Sequence, residues 1–365
     1  MKISAISFGA NFNLKVGDKN KTTQAQFNNE IGLAQHARNI GVSIPNYDIL
    51  YGPVMINYQT KGEVANFQTN PIQQKHFPKL FNNIYLLDIS NISHNDLEMT
   101  HCFYSQDGDV EFDCFRFGNY FEKDEINLPP FEMPNNLANY ENTSLAFYIE
   151  QMPDIQAKTN FLKDYLKASS VYHQKRADYI EQRLNKTANS GIILTKEMLE
   201  TEQIRTQMCQ NPTDEMANLL LKKLEFGKKQ RQAFTLWDEG NGACGKDFSK
   251  EKRINSIVEY LDSIKLGIDF AKSAQILSDK STNETEKKYY ALEAQVGKYY
   301  IDTYIKWVSG MANYNFEDSR VCPKPDSTRK ELKKVYDKIA NAEYSSKINA
   351  IDEYIELYLK ETKNN

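Results

Sequence analysis

The stretch His94-Asn95-Asp96-Leu97-Glu98-Met99-Thr100-His101-Cys102-Phe103-Tyr104-Ser105-Gln106-Asp107-Gly108-Asp109-Val110-Glu111-Phe112-Asp113-Cys114-Phe115-Arg116-Phe117-Gly118 carries the most organised polar spacing in the chain. Two runs of strand-forming residues, Cys102 to Ser105 and Val110 to Phe117, are joined through Asp107 and Gly108, a pair suited to a tight hairpin turn. Such a hairpin sets Asp96 and Asp113 at its two ends, with His94 just before the first and His101 between them. A plainer reading also fits the strand. Asp109, Glu111 and Asp113 alternate as a solvated face would, with Val110, Phe112 and Cys114 turned inward.

Upstream, a helix is expected from about Gln24 to Asn39, because Thr23 and Gln26 form a capping box, apolar residues recur at helical spacing, and Gly41 ends the run. Strands are expected at Tyr51 to Tyr58 and Ile84 to Ile89. The composition changes near Pro129 to Pro134. Beyond Tyr140 the chain reads as long amphipathic helices, at Ile155 to Leu184, Lys196 to Cys209, Thr213 to Phe234, Lys250 to Leu277, Glu284 to Ser309, Arg329 to Ala342 and Lys347 to Glu361. Thr328 with Glu331 offers another capping box, and Pro212 suits a first helical turn.

With 365 residues the chain can bury full cores in two or three compact units, and 40% hydrophobic residues make it globular in composition. A net charge of -4 leaves no positive field to gather nucleic acid or an anionic membrane surface. The start, MKISAISFGANFNLK, lacks a signal-peptide apolar stretch and no later run reaches membrane-spanning length, so a cytoplasmic chain is expected. The five cysteines lack the paired spacing of zinc sites or disulfide frameworks, and reduced thiols are expected.

Phosphoryl transfer calls for a carboxylate near the acceptor hydroxyl and another holding a metal ion on the nucleotide phosphates, since positioning and charge neutralisation supply most of the catalysis. Asp96 and Asp113 suit those roles. At these residues the sequence resembles the aminoglycoside phosphotransferase and choline kinase group, whose fold is similar to that of protein kinases. His94-Asn95-Asp96-Leu97 looks like the group's catalytic loop, Asp107-Gly108 its turn and Asp113 its metal-binding aspartate. Cys114, Arg116, Gly118 and Glu125-Ile126 fit the aminoglycoside branch. Fainter likenesses run through Phe27 to Ile31, Gly41 to Pro45 and Val54 to Tyr58 upstream. Downstream they include Met152-Pro153-Asp154 and Phe161 to Leu166.

The resemblance implies an α+β chain: a two-lobed kinase-like core in the first half and an all-α second half of long helices. It places a small lobe at 1–58, the catalytic-loop hairpin and first large-lobe helices at 59–190, and a helical region at 191–365. It implies ATP and magnesium as cofactors, with Asp96 and His94 catalytic, Lys15 and Glu30 positioning the nucleotide phosphates, and Asp113 and His101 at the metal. Lys19 and Lys21 are alternative partners for Glu30. The partner is a small-molecule acceptor, or a protein bound through the helical half; nucleic acid and membrane are not expected.

Three departures from the group are visible. His101 stands where the group has a metal-binding asparagine, and magnesium, a hard cation, prefers oxygen. Gly9 lies only six residues before Lys15, which shortens the small lobe. Asp96 and Asp113 are seventeen positions apart, one fewer than the group's spacing. They motivate the alternative of a catalytically degenerate scaffold or a helical interaction module.

Other features read as structure. His101 beside Cys102 does not make a thiol nucleophile, since neighbours on a strand face opposite ways. Gly240-Asn241-Gly242-Ala243-Cys244-Gly245-Lys246-Asp247 mimics a phosphate-binding loop but follows a helix and lacks the hydroxyl, so an interhelical loop is expected. Tyr289, Leu292, Val296, Tyr300 and Trp307 read as a core stripe. Lys222, Lys223, Lys228, Lys229 and Arg231 read as a solvated face.

Overall fold

The computed structural model describes residues 11–15, 21–50, 55–94, 97–114, 117–119, 131–133, 136–188, 192–241, 249–312, 337–339 and 341–364. The chain divides into two units, Met1–Asn218 and Leu219–Asn365. The first mixes helices with small sheets, and the described part of the second is helical.

In the first unit, strand β1 (Asn11–Lys15), helix α1 (Lys21–Asn39), strand β2 (Asn46–Leu50) and strand β3 (Met55–Gln59) follow one another. The sheet order is β1-β3-β2, both outer strands antiparallel to β3. Asn57 is the partner of Asn13 on one side and of Asp48 on the other. The helix begins ahead of Thr23, so the expected capping box lies within its first turns rather than at its cap. It buries Ile31, Ala34 and Ala37 on one face. Gly41 ends it at φ 101°, while the Gly41 and Val42 amides donate to Arg38 and Ala37 carbonyls.

Ile84 to Ile89, expected as a strand, is the end of helix α2 (Phe77–Ile89). Its short apolar run suits either structure locally. The helix wins because Phe77, Leu80, Phe81, Ile84 and Leu87 together make one buried face, and Pro78 sits in the first turn where its missing N–H costs nothing.

Strand β4 (Glu63–Val64) pairs with β6 (Cys102–Tyr104), which pairs in turn with β7 (Val110–Phe112). Gly108, at φ 100°, turns the expected hairpin. The long strand expected at Val110 to Phe117 is two pieces, β7 and β8 (Phe117–Asn119). Strand β8 pairs with β5 (Ile92–His94) instead. Asp109 alone on the alternating face is partly exposed. Glu111 and Asp113 are buried, which overturns the solvated-face reading.

Gly62, beside β4, has no room for a side chain, because a Cβ there would lie 2.3 Å from the Tyr104 carbonyl carbon. The obstacle is backbone, so β6 itself must move. Gly62→Ala is expected to destabilise the first unit by about 1–3 kcal/mol, the range of overpacking. Chemical denaturation checks this, and an unchanged midpoint would contradict it.

The rest of the first unit is helical. Helix α3 (Asn136–Tyr140), a π turn (Glu141–Leu145) and α4 (Ala146–Glu150) run on continuously. Helix α5 (Ile155–Gln182) is capped by Asp154, whose carboxylate accepts from the Ala157 amide at 2.7 Å. Thr195 caps α6 (Lys196–Gln210) through the Met198 amide. Helix α5 packs against α2 and α6, and Phe77, Phe81, Phe161, Tyr165 and Tyr172 interlock between α2 and α5.

Helix α7 (Asp214–Gly240) starts at the end of the first unit, after the capping hydroxyl of Thr213, so Pro212 lies just outside the helix. In the second unit α8 (Lys250–Lys280), α9 (Glu284–Ala312) and α10 (Tyr344–Asn364) pack around Ile257, Ile264, Ile268, Ile301, Ile305, Ile351 and Tyr354. Tyr289, Leu292 and Val296 are buried as a core stripe should be, while Trp307 lies at its exposed edge. Lys222 and Lys229 of the basic group are half-buried and ion-paired with Asp269 and Glu259. Most of the glycine-rich loop, 242–248, and most of the helix expected at Arg329 to Ala342 lie outside the described residues. No helix among the described residues is long and apolar enough to cross a membrane.

Candidate functional site

Pairing of β5 with β8 sets His94 opposite Phe117, and the β6–β7 hairpin returns the chain so that Asp113 follows β7 directly. The Asp113 amide donates to the His101 carbonyl at 3.0 Å, bringing the two side chains together. One carboxylate oxygen of Asp113, Oδ1, accepts from His94 Nε2 at 3.0 Å, and the other, Oδ2, is hydrogen-bonded to His101 Nδ1. His94 and Asp113 are sealed from solvent, and His101, its side chain 11% exposed, is the least buried of the three. Burial pushes the Asp113 carboxyl up. Hydrogen bonds and charge from His101 and His94 outweigh that and leave it below the usual carboxylate range.

The segment leading out of β5 is clamped by the α3–α4 helix. Asn136 Oδ1 accepts from the His94 amide at 2.8 Å, and Asn139 Nδ2 donates to the His94 carbonyl at 2.5 Å. At the π turn, Thr143 and Ser144 hydroxyls both donate to the Leu97 carbonyl, at 2.6 and 2.5 Å. Asn83 of α2 fixes the hairpin, donating to the Val110 carbonyl at 2.8 Å and accepting from the Ser43 amide, while Ser43 accepts from the Phe112 amide. His76 holds the turn side, its Nε2 on the Ser105 carbonyl and its Nδ1 accepting from the Gln73 amide.

Of the residues singled out in the sequence, the structure brings His94, His101 and Asp113 together. Asp96, Arg116 and Glu125-Ile126 lie outside the described residues, as do the side chains of Lys15 and Glu30, whose backbones belong to β1 and α1. Lys19 is also outside, and Lys21 opens α1 with its side chain undescribed. The Cys114 thiol donates to the Tyr58 hydroxyl at 3.4 Å, and burial pushes it up to about 12, far from a thiolate nucleophile. Cys102 is buried as well. Among the described residues no group of three or more His, Cys, Asp or Glu is arranged to hold a metal ion by itself.

A second network, invisible in the sequence reading, supports the site from behind. Arg176 of α5 is buried and bridges Asp88 of α2 and Glu202 of α6, each at 2.9 Å. His173 Nδ1 meets Glu202 at 2.7 Å, and Tyr172 donates to Asp88 at 2.6 Å. Asn136 ties this network to the site, since its backbone and side-chain amides both donate to Asp88 while its oxygen holds His94. Asn136, Asn139 and Thr143 fall at i, i+3 and i+7, the helical spacing that could have flagged them.

Two steps of acid destabilisation follow. Burial lowers both His76 and His173, in the latter case against the pull of Glu202, so the fold prefers them neutral. Their stabilisation is complete above the unfolded value of about 6.5 and is lost as pH falls from there toward their folded values. Glu202, buried but held down by Arg176 and His173, and Asp113 lose theirs only below the unfolded carboxylate range, about 4. Asp88, raised by complete burial, runs the other way, but its gain comes as pH falls toward the unfolded value of about 4, so it opposes the loss above that pH and leaves the second step untouched. Melting temperature is expected to fall between pH 7.5 and 5 and again below 4; a flat profile from 7.5 to 5 would contradict the first step.

No protein-family model matches the chain, and no curated protein is similar enough to count as a relative.

Proposed function

We propose that the chain is an ATP-dependent phosphotransferase acting on the hydroxyl of a small molecule, with a kinase-like core in its first half. The observation that carries this is the meeting of Asp113 with His101 and His94 at the end of a hairpin that starts from the segment bearing Asp96. Supporting it, a strand bearing Lys15 and a helix bearing Glu30 precede that hairpin in the order the reading needs. One carboxylate oxygen of Asp113 and one imidazole nitrogen of His101 lie side by side, and a nucleotide-bound cation held there would draw its remaining ligands from phosphate oxygens and water. Two protein ligands suffice when a nucleotide brings its own oxygens.

The bound cation would neutralise charge on the phosphates. Asp113 and His101 would hold it, and His94 would fix the carboxylate's rotation from the far side. Asp96, between the anchors at His94 and Leu97, would orient the acceptor hydroxyl and take its proton. Lys15 with Glu30 would position the phosphates.

The test is transfer of label from γ-labelled ATP to a panel of small hydroxyl compounds. Asp96→Asn should cut transfer by about 10²–10⁴-fold, the usual worth of a general base, with the melting temperature unchanged. Full activity in that variant would refute the role of Asp96. A second reading has its own observation: both oxygens of Asp113 already engage imidazoles, as in a degenerate site that binds a nucleotide or a protein partner without transfer. Nucleotide binding with no transfer to any acceptor, and no ATP turnover, would favour it.

A further inference from the structure

In the second unit, Gln230 of α7 is 6% exposed and Tyr260 of α8 is 1% exposed, yet Gln230 Nε2 and the Tyr260 hydroxyl have no hydrogen-bond partner among the described residues. Buried donors are paired in nearly all folded chains, because an unmade bond forfeits the group's hydration. Lys222 meets Asp269, Lys229 meets Glu259 and the Ser256 hydroxyl donates to the Ala233 carbonyl, so α7 and α8 run antiparallel with Gln230 and Tyr260 at one level. Aromatic rings surround that level. Phe226 and Phe234 stand one turn either side of Gln230, the first edge-on to Tyr304 of α9 and the second near parallel to Trp307 of α9. Tyr260 packs on the same two α9 rings, its centre 6.5 Å from that of Tyr304 and 5.3 Å from that of Trp307. The near-parallel pairs, Phe234 with Trp307 at 6.3 Å and Tyr260 with Tyr304 at 6.5 Å, do not cover each other's faces. Rings in contact at about 3.5 Å must be offset by about 5 Å to reach such separations. Trp307, 43% exposed, carries the group of rings to the surface.

We propose that these residues bind a small planar ring compound bearing a carbonyl group. The ring lies against Tyr304 and Trp307, and the carbonyl oxygen, with two lone pairs, accepts from both Gln230 Nε2 and the Tyr260 hydroxyl. Burial pushes the Tyr260 hydroxyl up, which keeps it protonated and able to donate. Two donors select an acceptor rather than a cation, and ring faces select a planar body rather than a chain.

The experiment titrates the full chain with benzamide, acetophenone and uracil, and with toluene as a ring that lacks the carbonyl. The chain has two tryptophans, so Trp237→Phe leaves Trp307 as the fluorescence reporter, while calorimetry on the wild type supplies the affinity. At least one carbonyl compound is expected to bind saturably at about 1 mM or tighter and to quench Trp307, with toluene at least about tenfold weaker. Gln230→Leu and Tyr260→Phe should each weaken that compound by about tenfold or more and leave toluene unchanged. Both variants should keep or raise the melting temperature, since each replaces a buried polar group that has no partner by an apolar one. No saturable binding, equal affinity for toluene, or undiminished binding in both variants overturns the inference. So does a fall in melting temperature in both variants without ring binding, the mark of a structural water on these two groups. If a variant fails to fold, the wild-type comparison with toluene still decides. None of these outcomes bears on the phosphotransferase reading, which rests on residues of the first unit.

Discussion

Arg176→Ala is expected to destabilise the first unit by about 3–5 kcal/mol, the cost of removing one partner from a buried ion pair. Asp88 and Glu202 have side chains at 0% and 3% exposure, and both would be left as carboxylates without their shared cation. Arg176 also lies over the Tyr172 ring, 5.3 Å from its centre, so packing is lost along with charge. The consequence should reach the site, because Asp88 holds Asn136 and Asn136 holds the His94 amide. Urea denaturation reads the stability, and a loss under about 1 kcal/mol, typical of an exposed pair, would contradict the network's role.

Asp113→Asn is the second large effect. The amide is nearly isosteric, so the fold should survive, but it carries no charge and offers one acceptor where the carboxylate offers two. One imidazole then faces an N–H₂ group, and the proposed cation would lose its anionic ligand. Phosphoryl transfer is expected to fall by about 10³-fold or more, since metal-ion charge stabilisation is worth several kcal/mol. Label transfer from ATP measures it, and retention of even a tenth of the activity would argue that Asp113 holds no metal.

Much of the helical architecture could be read from the sequence, because long amphipathic helices repeat one signal many times and carry local caps such as Asp154 and Thr195. Short elements were harder. Ile84 to Ile89 resembles a strand until its register with Phe77 and Leu80 is known, and β2, Asn46–Leu50, is too short and polar to announce itself. The proximity of His101 and Asp113 was legible because a two-strand hairpin forces its ends together, whereas that of His94 was not, since it comes from the pairing of β5 with β8. The burial of Glu111 and Asp113 was not, since alternation along a strand looks the same whether the polar face meets water or another layer. Asp88 and Arg176 lie 88 residues apart, and no local pattern marks such a pair.

The central claim is that Asp113 and His101 hold a cation with its nucleotide. It is tested most directly by melting the full chain with saturating ATP and divalent cation, beside Asp113→Asn under the same conditions. At about 100 times the dissociation constant the wild type should gain about 2.7 kcal/mol, several degrees in melting temperature, and the variant should gain nothing. An equal gain in both, or none in either, would contradict the claim.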